Sequence, residues 1–188
     1  MQTTAPIDHF VDLLRDARAR HVDEVDLLPR VQVLAGALAE GKATWLTDAM
    51  CRPDPDQGFG LHLLHEEDDH SLAVFVVSWL PQRATVPHDH GTWAVVAGLD
   101  GEERNIVWRR TDNRARPGHA EVDRASESTV RAGDVIALPS GTIHSVANDG
   151  DRVSVSLHVY GLHVNHTERS QFDPEARTQT AYKVRVAA

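Results

Sequence analysis

PHDHGTWAVVAG, residues 87–98, sets two histidines either side of one aspartate and then runs into apolar sequence. Side chains on an extended chain alternate with a period of two, so His88 and His90 share a face and Asp89 takes the other. One His-x-His among 12 histidines is not rare, and a buried histidine is more often a hydrogen-bonded core residue than a ligand. Two imidazoles at the head of an inward-facing apolar strand become half of a metal site only if a third ligand lies elsewhere.

GDVIALPSGTIHSVAN (133–148) supplies that third residue, His144. Gly133, Pro139, Gly141, His144 and Asn148 stand in the spacing G-x5-P-x-G-x2-H-x3-N. The Gly and Pro before His144 suit a turn that aims its imidazole inward. Nitrogen donors suit Fe, Zn, Cu or Ni, and a three-histidine set with open positions serves catalysis rather than structure. His9, His21, His70 and His119 sit in helical or polar context and read as ordinary residues.

The surrounding chain reads as a barrel with helices in front. Residues 1–50 are helical in pattern. FVDLLRDARARH carries Phe10, Val11, Leu13, Leu14 and Ala17 on one face, and VQVLAGALAEG carries Val31, Val33, Leu34 and Leu38 before the stop at Gly41. ATWLTDAM adds a short third helix. CRPDPDQG (51–58) is a break. From residue 59 the period changes to two, in eight short runs rich in Val and Ile, the pattern of a β-sandwich or barrel. TDNRARPGHAEVDRASES (111–128) is polar and reads as a surface loop or a hairpin. The expected architecture is α+β, mainly β, in one domain over 1–188, with the barrel and a C-terminal tail in 59–188.

Composition narrows the function. The chain has 188 residues and a formal charge of −9, with no cluster of Lys and Arg among aromatics, so nucleic acid is not an expected partner. The longest apolar run, SLAVFVVSWL, is half of what a membrane span needs. MQTTAPIDHF lacks the basic and apolar regions of a signal peptide. The single Cys51 fits a reducing, cytoplasmic setting.

A second constellation follows the third histidine. Ser156, His158 and Tyr160 alternate along VSVSLHVYG, so all three project to one face while Val155, Leu157 and Val159 take the other. Three polar groups on one face of an apolar strand are costly unless paired with one another. A chain from hydroxyl to imidazole to phenol satisfies them and aims the phenol at the metal cavity.

These residues resemble a known family. The spacing around His144 resembles the second cupin motif at every fixed position, and His88, His90 and Gly101 suit the first motif, whose Glu falls here at Ala94 or Val95. The resemblance implies a cupin barrel, a double-stranded β-helix or jelly roll. Three His without that Glu, followed by S-x-H-x-Y, resemble the thiol dioxygenases, the group of cysteine dioxygenase and 3-mercaptopropionate dioxygenase. HDHGTW…GEE is similar to their bacterial branch. From about residue 45 to the end, the resemblance implies Fe(II) on His88, His90 and His144. It implies an outer relay of Ser156, His158 and Tyr160, and insertion of both atoms of O2 into a small thiol to give a sulfinic acid. The cysteine that is crosslinked in mammalian members falls at Val95, so no crosslink is expected.

The family holds the substrate carboxylate with an Arg or Gln on an early strand. The matching stretch, GLHLLHEE, offers His62 or His65 instead. Arg169 in NHTERSQF is the other candidate, a guanidinium able to grip a carboxylate in two-pronged fashion. His163 and His166 flank it, and Trp93 packs beside the site or in the core. The expected substrate is a carboxylate-bearing thiol such as 3-mercaptopropionate or cysteine. A bulkier thione of the imidazole-2-thione type, or a non-thiol reaction on the same metal, stays open. The family implies a monomer whose partners are the thiol and dioxygen.

Overall fold

Two helices, α1 (Ala5–Arg20) and α2 (Glu24–Glu40), open a computed structural model that describes residues 5–187. The apolar stripe of α1 is Ile7, Phe10, Val11 and Leu14, the spacing of one helical face. Leu13, expected on that stripe, is exposed, and so is Val33 of α2. A full helical turn places both a step off the buried face. The backbone N–H of Gly41 closes α2 on the Ala37 carbonyl. The expected third helix is a single 3-10 turn, Lys42–Thr44, followed by irregular turns. Trp45 anchors that segment by donating its indole N–H to the Leu38 carbonyl at 2.9 Å.

Eleven strands follow: β1 (Phe59–Glu66), β2 (Ala73–Trp79), β3 (Arg83–Ala84), β4 (Ala94–Asp100), β5 (Glu102–Arg110), β6 (Val122–Arg131), β7 (Val135–Leu138), β8 (Ile143–Asn148), β9 (Ser154–Tyr160), β10 (Ser170–Asp173) and β11 (Thr178–Ala181). They form a five-stranded sheet ordered β1-β2-β9-β4-β7, a four-stranded sheet ordered β3-β8-β5-β6 and the hairpin β10-β11. Neighbouring strands pair antiparallel throughout. This is the jelly-roll barrel, with the two helices laid on the outside of the five-stranded sheet.

That sheet is buried on both faces, so its central strands read as unbroken apolar runs rather than alternation. Val74 and Val76, Val95 and Ala97, and Val155, Leu157 and Val159 meet the helices. Phe75, Val77 and Trp79, Ala94 and Val96, and Tyr160 turn into the barrel. Each fully buried side chain of this size stabilises the fold by about 1.5–3 kcal/mol relative to exposure. The four-stranded sheet differs: most of β6 is exposed, which is why VDRASESTVR is polar. The second half of 111–128 is therefore strand, paired with β5, and not loop. The β10–β11 hairpin was hidden by the same cause, since SQFD and TQTA bury little beyond Ser170 and Phe172. At the β4–β5 turn, Gly101 has φ +69°, and a Cβ there would press on Ser154 at 2.9 Å. No helix among the described residues is long and apolar enough to cross a membrane.

Candidate metal centre

His88 and His90 precede β4 rather than lying within it, in a segment held by isolated bridges from His88 to His144 and to Gln171. His88 and His144 exchange both backbone hydrogen bonds, each at 2.8 Å. A pair of directly opposed residues carries its side chains on one face, so this bridge sets the first and third imidazoles side by side. Gly91 then turns the chain into β4 with φ +65°, where a Cβ would meet the Thr167 side chain at 2.9 Å. The three rings converge. His90 Nε2 and His144 Nε2 are 3.1 Å apart, and the ring centroids are separated by 5.3, 4.7 and 4.8 Å.

Two of the outer nitrogens are committed. His88 Nδ1–H donates to the Val86 carbonyl at 2.9 Å, an acceptor only, so Nε2 keeps its lone pair. His144 Nδ1 lies 3.1 Å from Asn105 Oδ1. Burial, with help from the Arg169 cation, pushes the His144 pKa down to about 3 and lowers those of His88 and His90 as well. All three are neutral imidazoles whose nitrogens gather within reach of one ion. Metal–nitrogen bonds of about 2.0–2.1 Å place two ligand nitrogens of one ion about 3 Å apart, so the spacing fits a metal ion. The acid position of the first motif is taken by Ala94 on the inward face, leaving a nitrogen-only set.

Ser156, His158 and Tyr160 meet as their alternation requires. Ser156 Oγ is 2.8 Å from His158 Nε2, and His158 Nδ1 is 2.9 Å from Tyr160 Oη. Tyr160 packs edge-on against His90, with ring centroids 5.0 Å apart. Burial pushes the His158 pKa down to about 3 and that of Tyr160 well up, so both are neutral.

Arg169 is 4% exposed and lines the same cavity. It forms no ion pair among the described residues. Its side chain donates one hydrogen bond, from Nε to the Asp89 carbonyl at 3.2 Å, and its guanidinium lies 4.5 Å over the Tyr182 ring. Asp89 turns away from the imidazoles and accepts the Ser170 N–H. The cavity itself is small, about 30 Å³, space for two or three waters at ~10–15 Å³ each.

His62 does not line this cavity. Its strand neighbour Leu61 does, and alternation sends His62 to the opposite face, where Nε2 lies 2.9 Å from the Arg52 carbonyl. The expectation of His62 as a substrate contact is corrected on that ground. His65 follows a bulge and pairs with Glu67. His163 and His166 gather with His70 rather than at the mouth, and Trp93 belongs to the helix-facing core. Tyr182 and Val184, which close the cavity from the C-terminal segment, carry no motif in the sequence that could have marked them.

The family model described as Cupin matches residues 72–183. Among solved structures, an oxalate oxidase in complex with the substrate analogue glycolate is 18% identical over 58% of this chain and 53% of its own, with a TM-score of 0.44. An oxalate decarboxylase from Bacillus subtilis is 25% identical over 54% of this chain and 23% of its own, with a TM-score of 0.41. An uncharacterized conserved protein with a double-stranded β-helix domain from Klebsiella pneumoniae subsp. pneumoniae MGH 78578 is 15% identical over 67% and 93%, with a TM-score of 0.47. This chain spans about half the length of the oxidase and about a quarter of that of the decarboxylase.

Proposed function

The chain belongs to the cupin family, and on that premise we propose that it is an iron(II)-dependent thiol dioxygenase acting on a small thiol that carries a carboxylate. One pairing carries the reading: an open three-histidine face and, in the same cavity, a buried guanidinium without a carboxylate partner. A buried unpaired cation is costly. A substrate carboxylate taken in two parallel hydrogen bonds would satisfy it. The turning away of His62 removes the feature that spoke for an imidazole-2-thione and leaves Arg169 as the substrate contact.

Held by His88, His90 and His144, iron(II) would supply the Lewis acidity that deprotonates a bound thiol and the electrons that engage dioxygen. Arg169 holds the carboxylate end of the substrate, which leaves the sulfur end to face the imidazoles; fixed orientation of this kind is a major source of rate. Tyr160 offers a neutral phenol to the cavity, and His158 and Ser156 fix its direction. The apolar wall of Phe59, Leu61 and Val77 excludes water. The overall change balances without a further reductant. Sulfur forms two bonds to oxygen and gives up four electrons, which reduce both atoms of O2, and the thiol proton leaves with the sulfinic acid product.

The test is oxygen uptake by protein loaded anaerobically with Fe(II), across 3-mercaptopropionate, cysteine, mercaptosuccinate and an imidazole-2-thione, with the product weighed. Uptake with one carboxylate-bearing thiol and a gain of two oxygen atoms is expected. Iron bound at one per chain with no uptake from any of the four overturns the reaction assigned.

A further inference from the structure

Glu103 is left without a task by that reading. It lies on β5, is 2% exposed, and neither carboxylate oxygen has a hydrogen-bond partner among the described residues. Its polar neighbours are the Ser156 hydroxyl and the Trp79 indole. No cation faces it. On its own strand Arg104 turns out to Asp149 and Glu127, and on β6 Val130 lies opposite while Arg131 pairs with Glu102. From β9 the titratable groups on this side are His158 and Tyr160, and from β2 it is met by Trp79, which also reaches Ser156 Oγ at 3.4 Å. A buried acid in such a place stands at the far end of the line Ser156–His158–Tyr160, away from the cavity.

We propose that Glu103 is a positioning residue whose proton sets the direction of the Ser156–His158–Tyr160 hydrogen-bond chain, and so decides whether Tyr160 presents the cavity with a proton or a lone pair. The inference rests on the relay assigned above. Its logic is that of one neutral imidazole. His158 has a single N–H and a single lone pair, and both ring nitrogens are engaged. The chain therefore runs wholly one way or wholly the other.

With Glu103 protonated, its O–H donates to Ser156 Oγ, Ser156 donates to His158 Nε2, and His158 Nδ1–H donates to Tyr160 Oη. The phenol O–H is then free for the cavity. With Glu103 ionised, Ser156 and Trp79 donate to the carboxylate. His158 Nε2–H donates to Ser156, and the Tyr160 O–H points back to His158 Nδ1. The two states differ by one proton, and both require the Glu103 carboxyl to close on the neighbouring Ser156 hydroxyl, which it does not bond as it stands. If Tyr160 releases its proton to the cavity, the Nδ1 proton passes to the phenol oxygen, the Ser156 proton to Nε2, and the Glu103 proton to Ser156. The phenol ends neutral, and the negative charge appears on Glu103 instead of on a buried phenolate. Burial pushes the Glu103 pKa up to about 7, which puts both states within reach near neutral pH.

The test reads the His158 tautomer directly, by ¹⁵N-detected imidazole NMR on the full chain loaded with Zn(II), across about pH 5.5–8.5. The parent should pass from Nδ1–H to Nε2–H with a midpoint near 7. Glu103→Gln keeps an amide donor toward Ser156 and should hold Nδ1–H at every pH. Ser156→Ala cuts the line, so His158 should cease to follow pH. One tautomer throughout in the parent, or an unchanged transition in Glu103→Gln or Ser156→Ala, overturns the proposal. Oxygen uptake fails or succeeds independently of this result, so the relay and the thiol reaction are judged apart.

Discussion

Two histidine clusters in this molecule have similar ingredients and opposite designs. In the interior, His88, His90 and His144 bring their nitrogens together; nearer the surface, Glu66, His70 and His166 bring a carboxylate oxygen and two ring nitrogens as close. The rings of His88 and His144 spend their outer nitrogens on the Val86 carbonyl and Asn105, and gather their inner nitrogens with that of His90. The surface residues spend themselves on each other. His70 Nδ1 lies 2.5 Å from Glu66 Oε1, and its ring stacks on His166 at 3.5 Å. Two ligands of one ion cannot stack face to face, because their ring axes must converge on the metal. Composition alone makes neither cluster a site; the direction of the lone pairs does.

The largest expected effect is on metal. His144→Ala should lower metal affinity more than about 100-fold, beyond what loss of an outer partner costs. His70→Ala and His166→Ala should keep one tightly bound ion per chain. Metal content after dialysis decides this. Equal losses in the two clusters would erase the distinction between them.

The next concerns stability. The folded-state pKa of Glu103, about 7 against 4.5 for the ordinary group, is raised. Its contribution to stability is therefore full below about pH 4.5 and is lost as pH rises through about 7. His158, lowered to about 3 from 6.5, has the opposite sign. The unfolded chain takes up a proton that the folded interior refuses, so stability falls as pH drops below about 6.5. Between about pH 4.5 and 6.5 the two slopes oppose each other. Glu103→Gln removes one of them. It should exceed the parent by about 3 kcal/mol at pH 8, since each tenfold change in proton affinity is worth ~1.4 kcal/mol. It should also lose stability more steeply on acidification. Denaturant unfolding of both proteins in parallel checks it, and parallel curves would mean that Glu103 is not held as a buried acid.

Two substitutions sharpen the picture within the interior. Tyr160→Phe should keep the ion and lose about 10–100-fold in thiol oxidation, as outer-shell groups do. Arg169→Gln should cost about 10-fold or more in kcat/KM for a carboxylate-bearing thiol, the worth of a hydrogen bond to a charged group. A hydroxyl-bearing thiol of equal length should be unaffected. If both thiols suffer alike, Arg169 supports the fold rather than the carboxylate.

Much of the interior was legible in the sequence because it is extended and buried. Alternation along β9 put Ser156, His158 and Tyr160 on one face without any tertiary knowledge, and G-x5-P-x-G-x2-H-x3-N carried the turn that aims His144. What was not legible lies where alternation fails to report burial or facing. His62 sits one residue from a cavity-lining leucine, and one residue is a full reversal of face. ERNIVWRR reads as a strand, but nothing at its head marked Glu103 as buried, because a charged residue at a strand's start reads as solvated until β5 is laid across β9. Tyr182 reaches the cavity from a segment with no periodicity.

The smallest effect belongs to the surface cluster, and it tests the comparison from the other side. His70 holds φ +63°, a left-handed conformation that costs a non-glycine residue about 1 kcal/mol or more. Its side chain offsets that cost through a part-buried pair with Glu66 and a stack on His166. Such surface pairs contribute about 0–1 kcal/mol. His70→Gly removes the strain and the pair together, while a glycine gives up more chain entropy on folding. The terms are of similar size and opposite sign, so stability should stay within about 1 kcal/mol of the parent, with metal content unchanged. A loss of several kcal/mol, or of a bound ion, would mean that the strained backbone is maintained for a task. The surface cluster would then be a second site, built on the same principle as the first.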